Sequence, residues 1–329
     1  LTILTSHRRQ SFYNNLHNNY GGDLGLGVNP KLIERINKSD YLVLLGGRLS
    51  ENPSQGFSLL GIPEHDKKFI HIHPGPEEIG RIYKPHLGIT CSPISFVQAL
   101  NNALKGLNTK PSSKNQLITS EAHEEYLEWG NMPLESPNSG VDLTTAFRSL
   151  REDLDSNTII TNGAGNYAVW GHRLFRFTQF RTQLAPISGS MGYGLPAAIA
   201  AKLRNPTKTV IALAGDGCFQ MTENEFATAV QYNVGVIVFV VDNEMYGTIR
   251  MHQHKSYKGK YKHTGLVNPD FNKLAVAMGG KGFTVEKTED FMKLFYEAKA
   301  WADKNNLPTL LHIKTGSEMV LPGKRFSSL

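Results

Sequence analysis

Two oxygen-bearing side chains, Asp216 and Asn243, each follow an apolar run at a spacing that could bind a metal ion. The tripeptide Gly-Asp-Gly at 215–217 ends one such run, and Asn243 follows a second run, Val234–Val241, after one intervening aspartate. If the two runs are neighbouring parallel strands, their carboxyl ends lie at the same edge of a sheet. The pattern therefore predicts a carboxylate and a carboxamide side by side.

Magnesium is the ion that these ligand types favour. Mg²⁺ prefers octahedral oxygen ligands at about 2.0–2.1 Å and often shares its shell with a diphosphate. Gly215 and Gly217 would let backbone amides approach phosphate oxygens, and the N-terminus of the next helix would add partial positive charge. Thr222 and Glu225 have the spacing of a capping box in that helix. Alone, Gly-Asp-Gly is more typical of a plain turn, but an Asn243 at this separation favours a ligand site.

The second half of the chain alternates apolar runs with helical stretches. Strands that alternate with helices predict a parallel sheet covered on both faces, which is a doubly wound α/β fold. The predicted strands are 158–161, 209–214, 236–241, 282–285 and 309–313, and the predicted helices are 143–154, 195–203, 223–231, 270–278 and 288–303. Ligands of such sheets bind beyond the carboxyl ends of the strands, where both candidate ligands fall.

The first part of the chain has the same alternation. Tyr41–Leu45 and Lys68–His73 are predicted strands, and Lys31–Asn37 is a predicted helix because Pro30 suits its first turn. His71 and His73 share one face of their strand, and a structural role is favoured for both over metal binding.

Residues 106–138 differ in composition from the rest of the chain. They are rich in Pro, Ser and Asn, which predicts a linker that contains one or two helical turns near 124–129. The predicted organisation is two α/β domains with doubly wound parallel sheets, 1–105 and 139–329, on either side of the linker.

Charge and cysteine usage argue against a polymer or membrane partner. The net charge is +6, but the densest basic run, His254–Lys262, is predicted to be a loop that is solvated or contacts an anionic substrate. It has no accompanying nucleic-acid-binding motif, and no apolar run approaches the roughly 18 residues of a membrane helix. Cys91 and Cys218 have no disulfide or metal-ligand spacing, which is typical of a reducing compartment. We predict a cytoplasmic protein without nucleic-acid or membrane partners.

Gly-Asp-Gly followed some 25 residues later by Asn resembles the cofactor-binding motif of thiamine diphosphate enzymes, and residues 210–249 are similar to the acetolactate synthase large subunit. The resemblance implies that Mg²⁺ is bound by the side chains of Asp216 and Asn243 and by the backbone carbonyl of Met245. It also implies that the cofactor is contacted, largely through backbone groups, by Gly215, Gly217, Cys218 and Gly247.

Two further segments carry the resemblance. Thr161–Tyr167 (TNGAGNY) is similar to the family's first diphosphate loop, although its Gly-Ala-Gly has no specificity alone. Gly189–Pro196 (GSMGYGLP) is similar to the segment that holds the aminopyrimidine, with the methionine side chain wedged between the two cofactor rings. The residues implied to bind the cofactor are Ala164, Gly165, Asn166, Tyr167, Gly189 and Met191.

The first domain resembles the family's central domain at residues 23–48 and 71–80, and residues 266–278 also match the family. That central domain often holds FAD through an arginine followed by two aspartates. Here Arg48 is followed by Ser50 and Glu51 at those positions. Binding of FAD therefore stays open, and the alternatives for Arg48 are a helix cap or an ion pair with Glu51.

The resemblance implies a thiamine diphosphate- and Mg²⁺-dependent transferase or lyase that decarboxylates or joins 2-oxo acids, as a homodimer or homotetramer. The family's catalytic glutamate lies in an N-terminal pyrimidine-binding domain that is not found here, so no catalytic residue is assigned. Because the chain starts at Leu1, within a strand-like stretch, we expect a fragment that is inactive alone.

One departure limits the choice of substrate. Acetolactate synthases carry a tryptophan where this chain has His252. Three roles are open for His252: part of a polar wall that faces the substrate, an ordinary loop residue, or a metal ligand together with His254. Another thiamine diphosphate lyase or decarboxylase, or a non-catalytic cofactor-binding paralogue, therefore stays open. A nicotinamide dehydrogenase is disfavoured because no Gly-x-Gly-x-x-Gly follows a strand with an acidic residue about 20 positions on.

Overall fold

The computed structural model describes residues 1–107 and 110–329, and the chain forms two compact units. The first comprises Leu1–Gln10 and Asn15–Trp129, and the second comprises Ser11–Asn14 and Gly130–Leu329. The boundary at 129/130 lies within the predicted linker, 106–138. The two predicted domains on either side of it remain predictions.

Parallel strands form the framework of the first unit. β1 pairs with β2, and the order in a second sheet is β3-β4-β5, all parallel. The strands are β1 (Ile3–Ser6), β2 (Tyr20–Leu24), β3 (Tyr41–Leu45), β4 (Lys68–His73) and β5 (Leu87–Thr90), and the helices are α1 (Pro30–Asn37), α2 (Pro93–Leu104) and α3 (Ser113–Asn131). The predicted strands that correspond to β3 and β4 are confirmed at both ends.

Helix α3 corrects one expectation. The predicted one or two helical turns are a helix of 19 residues. Its central residues are packed inside the first unit, where His123 Nδ1 is 2.9 Å from the Tyr20 carbonyl oxygen and Glu125 pairs with Arg35. These partners lie about 100 residues earlier in the chain, so the local composition could not reveal the length of the helix.

The second unit is built on one parallel sheet. Among the described residues six strands form it, in the order β10-β11-β9-β8-β6-β7. The strands are β6 (Ile159–Asn162), β7 (Gln183–Leu184), β8 (Val210–Gly215), β9 (Ile237–Asp242), β10 (Lys281–Val285) and β11 (Thr309–Lys314), followed by an antiparallel hairpin of β12 (Met319–Leu321) and β13 (Lys324–Arg325). The five strands predicted here are confirmed to within one residue at each end.

Helices cover both faces of this sheet. The helices are α4 (Leu143–Asp153), α5 (Tyr167–Leu174), α6 (Gly194–Arg204), α7 (Asp216–Phe219), α8 (Glu225–Gln231), α9 (Gly247–Ser256), α10 (Phe271–Ala277) and α11 (Phe291–Asn305). Successive residues of β9 alternate between two hydrophobic cores: Phe239 packs with α4, α5 and α11, and Val240 packs with α6, α8 and α10. This alternation is the strand period of two, and it explains why every residue of β9 is buried.

Side-chain caps define where two of these helices begin. The Asp142 carboxylate accepts the Thr144 N–H at 2.9 Å at the start of α4, and the Asp270 carboxylate accepts the Lys273 N–H at 3.2 Å at the start of α10. Such caps stabilise a helix by about 1 kcal/mol. Among the residues that the structure describes, no helix combines the length and apolarity that a membrane span requires.

Candidate functional site

Asp216 lies at the end of β8, where the strand meets the short helix α7. It is buried, with 3% of the residue exposed. Its Oδ1 atom accepts the backbone N–H of Gly217 at 2.8 Å, and its Oδ2 atom accepts the side-chain amide of Asn268 at 2.8 Å. One backbone donor and one side-chain donor therefore hold this carboxylate in a defined orientation.

The end of β9 brings the second predicted ligand to the same edge of the sheet. β8 and β9 are parallel neighbours in which Gly215 pairs with Val241. Asp216 is therefore level with Asp242, and Asn243 is the next residue along. This confirms that two neighbouring parallel strands deliver a carboxylate and a carboxamide to one edge.

The loop after β9 turns back on itself directly behind Asn243. Glu244 has a positive φ of 56°, and Met245 forms an antiparallel bridge with Gly265. The Met245 carbonyl, the third predicted Mg²⁺ ligand, accepts the N–H of Gly247 at 2.9 Å. A carbonyl oxygen has two lone pairs, so this one retains a lone pair that could bind a cation.

Asp242 has a role that sequence analysis missed. Its carboxylate is buried, and Oδ2 is 2.6 Å from His312 Nε2 and 3.1 Å from Lys314 Nζ, both of which come from β11. Its Oδ1 accepts the Asn268 amide at 2.7 Å. The available signal was a histidine and a lysine two residues apart near the end of a predicted strand, and it becomes informative only when β11 is known to adjoin β9.

The two carboxylates differ in their affinity for a proton. Burial, together with the neighbouring charge of Asp242, raises the pKa of Asp216 to about 6, although the bonds from Asn268 and Gly217 oppose this shift. Burial alone would also raise the pKa of Asp242, but the hydrogen bonds from His312, Lys314 and Asn268 outweigh it and hold this pKa well below its ordinary value. Asp216 is thus the carboxylate whose negative charge lacks compensation.

The glycines beside Asp216 allow close packing of aromatic rings. A Cβ atom at Gly215 would lie 2.8 Å from the ring of Tyr167, and one at Gly217 would lie 2.4 Å from the ring of Tyr246. The predicted neighbour of both glycines was phosphate, whereas their neighbours in the structure are the two tyrosines. Tyr167 also donates its hydroxyl to the Cys218 sulfur at 3.2 Å.

The first predicted diphosphate loop lies between β6 and α5, and it is bonded to the start of α9. The Asn166 N–H donates to Thr248 Oγ1 at 3.0 Å, and the Thr248 hydroxyl donates to Asn166 Oδ1 at 2.8 Å. This reciprocal pair brings Asn166 next to Gly247, another predicted cofactor contact. Thr248 is a second residue that sequence analysis missed.

The segment that precedes α6 is bonded to residues after β8. The Gly192 N–H donates to the Cys218 sulfur at 3.1 Å, and the Gly192 carbonyl accepts the Thr222 hydroxyl at 2.8 Å. These bonds place the partly buried Met191 near the β8 end of the sheet. At Gly189, φ is +76° and no atom lies within 4 Å of where a Cβ would be, so its glycine is required by the turn and not by packing.

Thr222 therefore does not cap α8, and the predicted capping box is wrong. The helix starts at Glu225, and its N-cap residue, Asn224, makes no capping hydrogen bond through its side chain. The Thr222 hydroxyl instead donates to the Gly192 carbonyl. A tertiary partner replaced the local one that the spacing suggested.

A cavity at this edge of the sheet collects four of the predicted residues. It is lined by Asn166, Tyr167, Asn243 and Gly247, together with residues of α4, such as Thr144, and of the loop after β11. Asp216 does not line this cavity. The structure therefore joins the first diphosphate loop, the β9 end and the start of α9 around one space.

The donor set fits Mg²⁺ better than a transition metal. Within residues 1–107 and 110–329, no group of three or more His, Cys, Asp or Glu side chains is arranged to hold a metal. Over the same residues Asp216 has no ion pair with Lys, Arg or His. One uncompensated carboxylate, one carboxamide and one carbonyl are hard oxygen donors. A divalent cation would also favour the ionised form of Asp216, which burial disfavours.

His252 and His254 do not form a metal pair. Both lie on α9 and not in a loop, so the predicted loop at 254–262 begins only after Ser256. His252 is exposed, while the His254 ring stacks on Tyr261 with centroids 5.8 Å apart and hydrogen-bonds its hydroxyl. Side chains two residues apart on a helix point in different directions, so these two histidines cannot bind one metal ion together.

In the first unit, Arg48 pairs with Glu78 at 3.5 Å, and the alternative of a pair with Glu51 is wrong.

The favoured structural role of the strand histidines is supported by their hydrogen bonds. His71 Nε2 is 2.9 Å from the Gly47 carbonyl oxygen, and His73 Nδ1 accepts the Gly75 N–H at 3.0 Å.

Two parts of the chain match known protein families. Residues 163–313 match the thiamine pyrophosphate enzyme C-terminal TPP-binding domain, and residues 1–100 match the thiamine pyrophosphate enzyme central domain. The chain therefore belongs to the thiamine pyrophosphate enzyme family, and its predicted α/β fold with parallel sheets is confirmed. All the predicted metal and cofactor ligands, from Ala164 to Gly247, fall inside the match to the TPP-binding domain, whereas Lys314 and Thr144 lie outside it.

Within this family the chain is similar to acetolactate synthases. It is 30% identical to the mitochondrial acetolactate synthase of Schizosaccharomyces pombe over 272 residues. This alignment covers 80% of this chain and 40% of the relative. It is 39% identical over 182 residues to the mitochondrial catalytic subunit of Aspergillus candidus, 55% of this chain and 26% of the relative. The large subunit of Corynebacterium glutamicum is 26% identical over 313 residues, 92% of this chain and 48% of the relative. The chain thus spans less than half the length of these relatives.

Proposed function

We infer that the chain is the diphosphate- and Mg²⁺-binding half of a thiamine diphosphate-dependent enzyme of the acetolactate synthase type, which acts on 2-oxo acids. The observation that carries this proposal is that the ends of β8 and β9 are adjacent. Asp216, whose negative charge has no cationic partner among the described residues, is level with Asp242, and Asn243 is the next residue along β9. Both residues lie within the match to the TPP-binding domain. The name shared by the relatives supports the reaction type.

In this proposal Mg²⁺ is held by Asp216, Asn243 and the Met245 carbonyl. The cofactor is contacted by Ala164, Gly165, Asn166, Tyr167, Gly189, Met191, Gly215, Gly217, Cys218 and Gly247. The bonds of Asn166 to Thr248 and of Gly192 to Cys218 connect these separate segments. They support the proposal because a bent two-ring cofactor needs both of its ends anchored at once.

Thiamine diphosphate, when bound, supplies a thiazolium carbon that adds to the 2-oxo group and a ring that accepts the electrons left by loss of CO₂. The residues of this chain would bind the charged end and orient it. Asp216 would neutralise part of the metal charge, and the half-buried rings of Tyr167 and Tyr246 lie against the glycines on either side of it. No glutamate of this chain is assigned to proton transfer, so binding is the property to test.

The remaining parts of the proposal concern the whole enzyme. We expect a homo-oligomer, because the family resemblance puts the cofactor between subunits, and a cytoplasmic location, although two relatives are named mitochondrial. FAD binding by the first unit stays open, as it was from the sequence. More than half of the Arg48 side chain is exposed beside Glu78, and a titration that follows FAD fluorescence would test whether the arginine is used.

A second candidate is a different thiamine diphosphate lyase or decarboxylase. The observation that favours it is His252, an exposed polar residue on α9 at the position where acetolactate synthases are expected to carry tryptophan. Comparing His252→Trp with the wild type in a full-length protein, using two different acceptor 2-oxo acids, would separate the candidates. An acetolactate synthase should gain selectivity on restoring tryptophan, whereas another lyase should lose activity.

The direct test is calorimetric titration of the chain with thiamine diphosphate, with Mg²⁺ and with EDTA in place of Mg²⁺. We expect heat of binding that depends on Mg²⁺ in the wild type and is lost in Asp216→Ala. Asp303→Ala is the matched control, because Asp303 forms an exposed ion pair with Lys299 on α11. Binding that ignores both Mg²⁺ and the loss of Asp216 would refute the proposed site.

A further inference from the structure

The side chain of Asn268 lies between the two carboxylates of the site. It precedes α10 by three residues and is partly buried. Its Nδ2 atom donates one hydrogen bond to Asp216 Oδ2 at 2.8 Å and one to Asp242 Oδ1 at 2.7 Å. A primary amide has two N–H groups, and each is directed to a different carboxylate.

The orientation of this amide is determined by a third partner. Asn268 Oδ1 accepts the side-chain amide of Gln220 at 2.9 Å. If the amide were reversed, its oxygen would face two carboxylates and its NH₂ group would face another NH₂ group. The network therefore allows a single assignment of nitrogen and oxygen.

The two carboxylates depend on Asn268 to different degrees. Asp242 also receives hydrogen bonds from His312 and Lys314, which compensate its charge. For Asp216, by contrast, Asn268 is the sole side-chain donor in the part of the chain that the structure describes. Loss of the amide would therefore leave Asp216 with a backbone donor only and with its repulsion from Asp242 unscreened.

The position of Asn268 is itself tied to the loop that carries the other predicted ligands. The Tyr246 N–H donates to the Thr264 carbonyl and the Leu266 N–H donates to the Glu244 carbonyl, each at 2.9 Å. These bonds run along both sides of Met245 and end two residues before Asn268. One short ladder thus positions the amide relative to both strand ends.

We propose that Asn268 is a positioning residue that orients the Asp216 carboxylate for the metal ion and screens it from Asp242. This inference rests on the function proposed above and adds a residue to it. Residues behind metal ligands typically change metal affinity by about 10- to 100-fold when removed. A residue that only joins two loops would instead weaken binding of the cofactor whether or not metal is present.

The test compares Asn268→Leu, which keeps the volume and removes both donors, with the wild type. Affinity for thiamine diphosphate is measured by calorimetry with saturating Mg²⁺ and with EDTA, and Mn²⁺ binding is followed by electron paramagnetic resonance. We expect the affinity with Mg²⁺ and the affinity for Mn²⁺ to fall about 10- to 100-fold, and the affinity in EDTA to stay within about twofold. Asn305→Ala, which removes an exposed amide bonded to the Trp301 carbonyl, is the matched control.

Gln220→Ala provides a second variant that leaves both carboxylates and Asn268 in place. Gln220 is exposed, so the fold should persist even if Asn268→Leu does not fold. We expect a loss smaller than that of Asn268→Leu that again appears only with metal. Equal losses with and without metal, or no loss in either variant, would overturn the role of Asn268 while leaving the proposed function intact. A wild-type chain whose binding does not depend on Mg²⁺ would overturn the proposed function and this inference with it.

Discussion

The ends of β8 and β9 lie side by side, but their two aspartates have opposite electrostatic environments. Asp242 is fully buried and is bonded to His312, Lys314 and Asn268, which hold its pKa well below its ordinary value. Asp216 is buried to a similar extent but has no cationic partner among the described residues, and its pKa is raised to about 6. The two aspartates are buried to a similar extent, so their pKa values differ because of the charges and hydrogen-bond donors around them.

This difference separates a carboxylate that supports the fold from one that could bind a ligand. A buried charge with cationic partners contributes to stability only as part of its network, and removing a partner is costly. A buried charge without one is unfavourable in the metal-free chain, and its environment suits a cation that comes from solution. The four predictions that follow test this contrast between Asp242 and Asp216.

Asp242→Ala should have the largest effect. It removes the shared acceptor of His312, Lys314 and Asn268. Hydrogen bonds to a charged group contribute about 1.5–3 kcal/mol each, so losing them together costs about 3–5 kcal/mol. We expect the free energy of unfolding from urea titration to fall by that amount. Asp303→Ala, in an exposed pair, should change it by less than about 0.5 kcal/mol. Equal effects of the two variants would contradict the role given to Asp242.

Asp216→Ala should chiefly affect binding. Losing a metal ligand should weaken Mg²⁺-dependent binding of thiamine diphosphate by at least about 100-fold, or about 2.7 kcal/mol. The metal-free variant should unfold at no lower urea concentration than the wild type at pH 8, because the charge that it loses is unfavourable there. A large loss of stability would show that Asp216, like Asp242, is a structural carboxylate.

The stability of the metal-free chain should depend on pH through Asp216. Its folded pKa of about 6 exceeds the value of 3.8 for a free aspartate, so between these pH values the folded state holds a proton that the unfolded state releases. Stability contributed by this proton is present below about pH 4 and is lost as the pH rises to about 6. Relative to the wild type, Asp216→Ala should gain on the order of 1–2 kcal/mol over that interval.

A flat difference between the wild type and Asp216→Ala across pH 4–7 would contradict the raised pKa. Urea titrations at half-unit steps in the presence of EDTA would measure it. Asp303→Ala is again the appropriate control, because it removes an exposed aspartate that forms an ion pair on the surface of α11.

Lys314→Met should have the smallest effect. The side chain of Lys314 is 40% exposed, and Asp242 keeps the hydrogen bonds from His312 and Asn268. We expect a loss of less than about 1 kcal/mol in the free energy of unfolding, with Mg²⁺-dependent cofactor binding unchanged. A loss as large as that of Asp242→Ala would mean that the lysine, and not the histidine, is the main partner of Asp242.

The sequence alone determined the elements that reach the site. Five strands after residue 139 could be placed to within one residue, because uninterrupted apolar runs that end in glycine or polar residues are typical of a parallel sheet. The short strands β7, β12 and β13 have no such run and were not predicted. The apolar runs also predicted that Asp216 and Asn243 reach one edge. The strand ends, and therefore the candidate ligands, follow from local patterns.

The polar groups that meet at that edge come from distant parts of the chain and could not be predicted from local sequence. His312 lies 70 residues from Asp242, and it reaches that carboxylate because β11 inserts between β9 and β10. Asn268, Thr248 and the bond of Thr222 to Gly192 likewise depend on which loops adjoin. Periodicity reports whether a residue is buried, but the partner of a buried polar group is chosen by strand order and loop packing, which no short stretch of sequence contains.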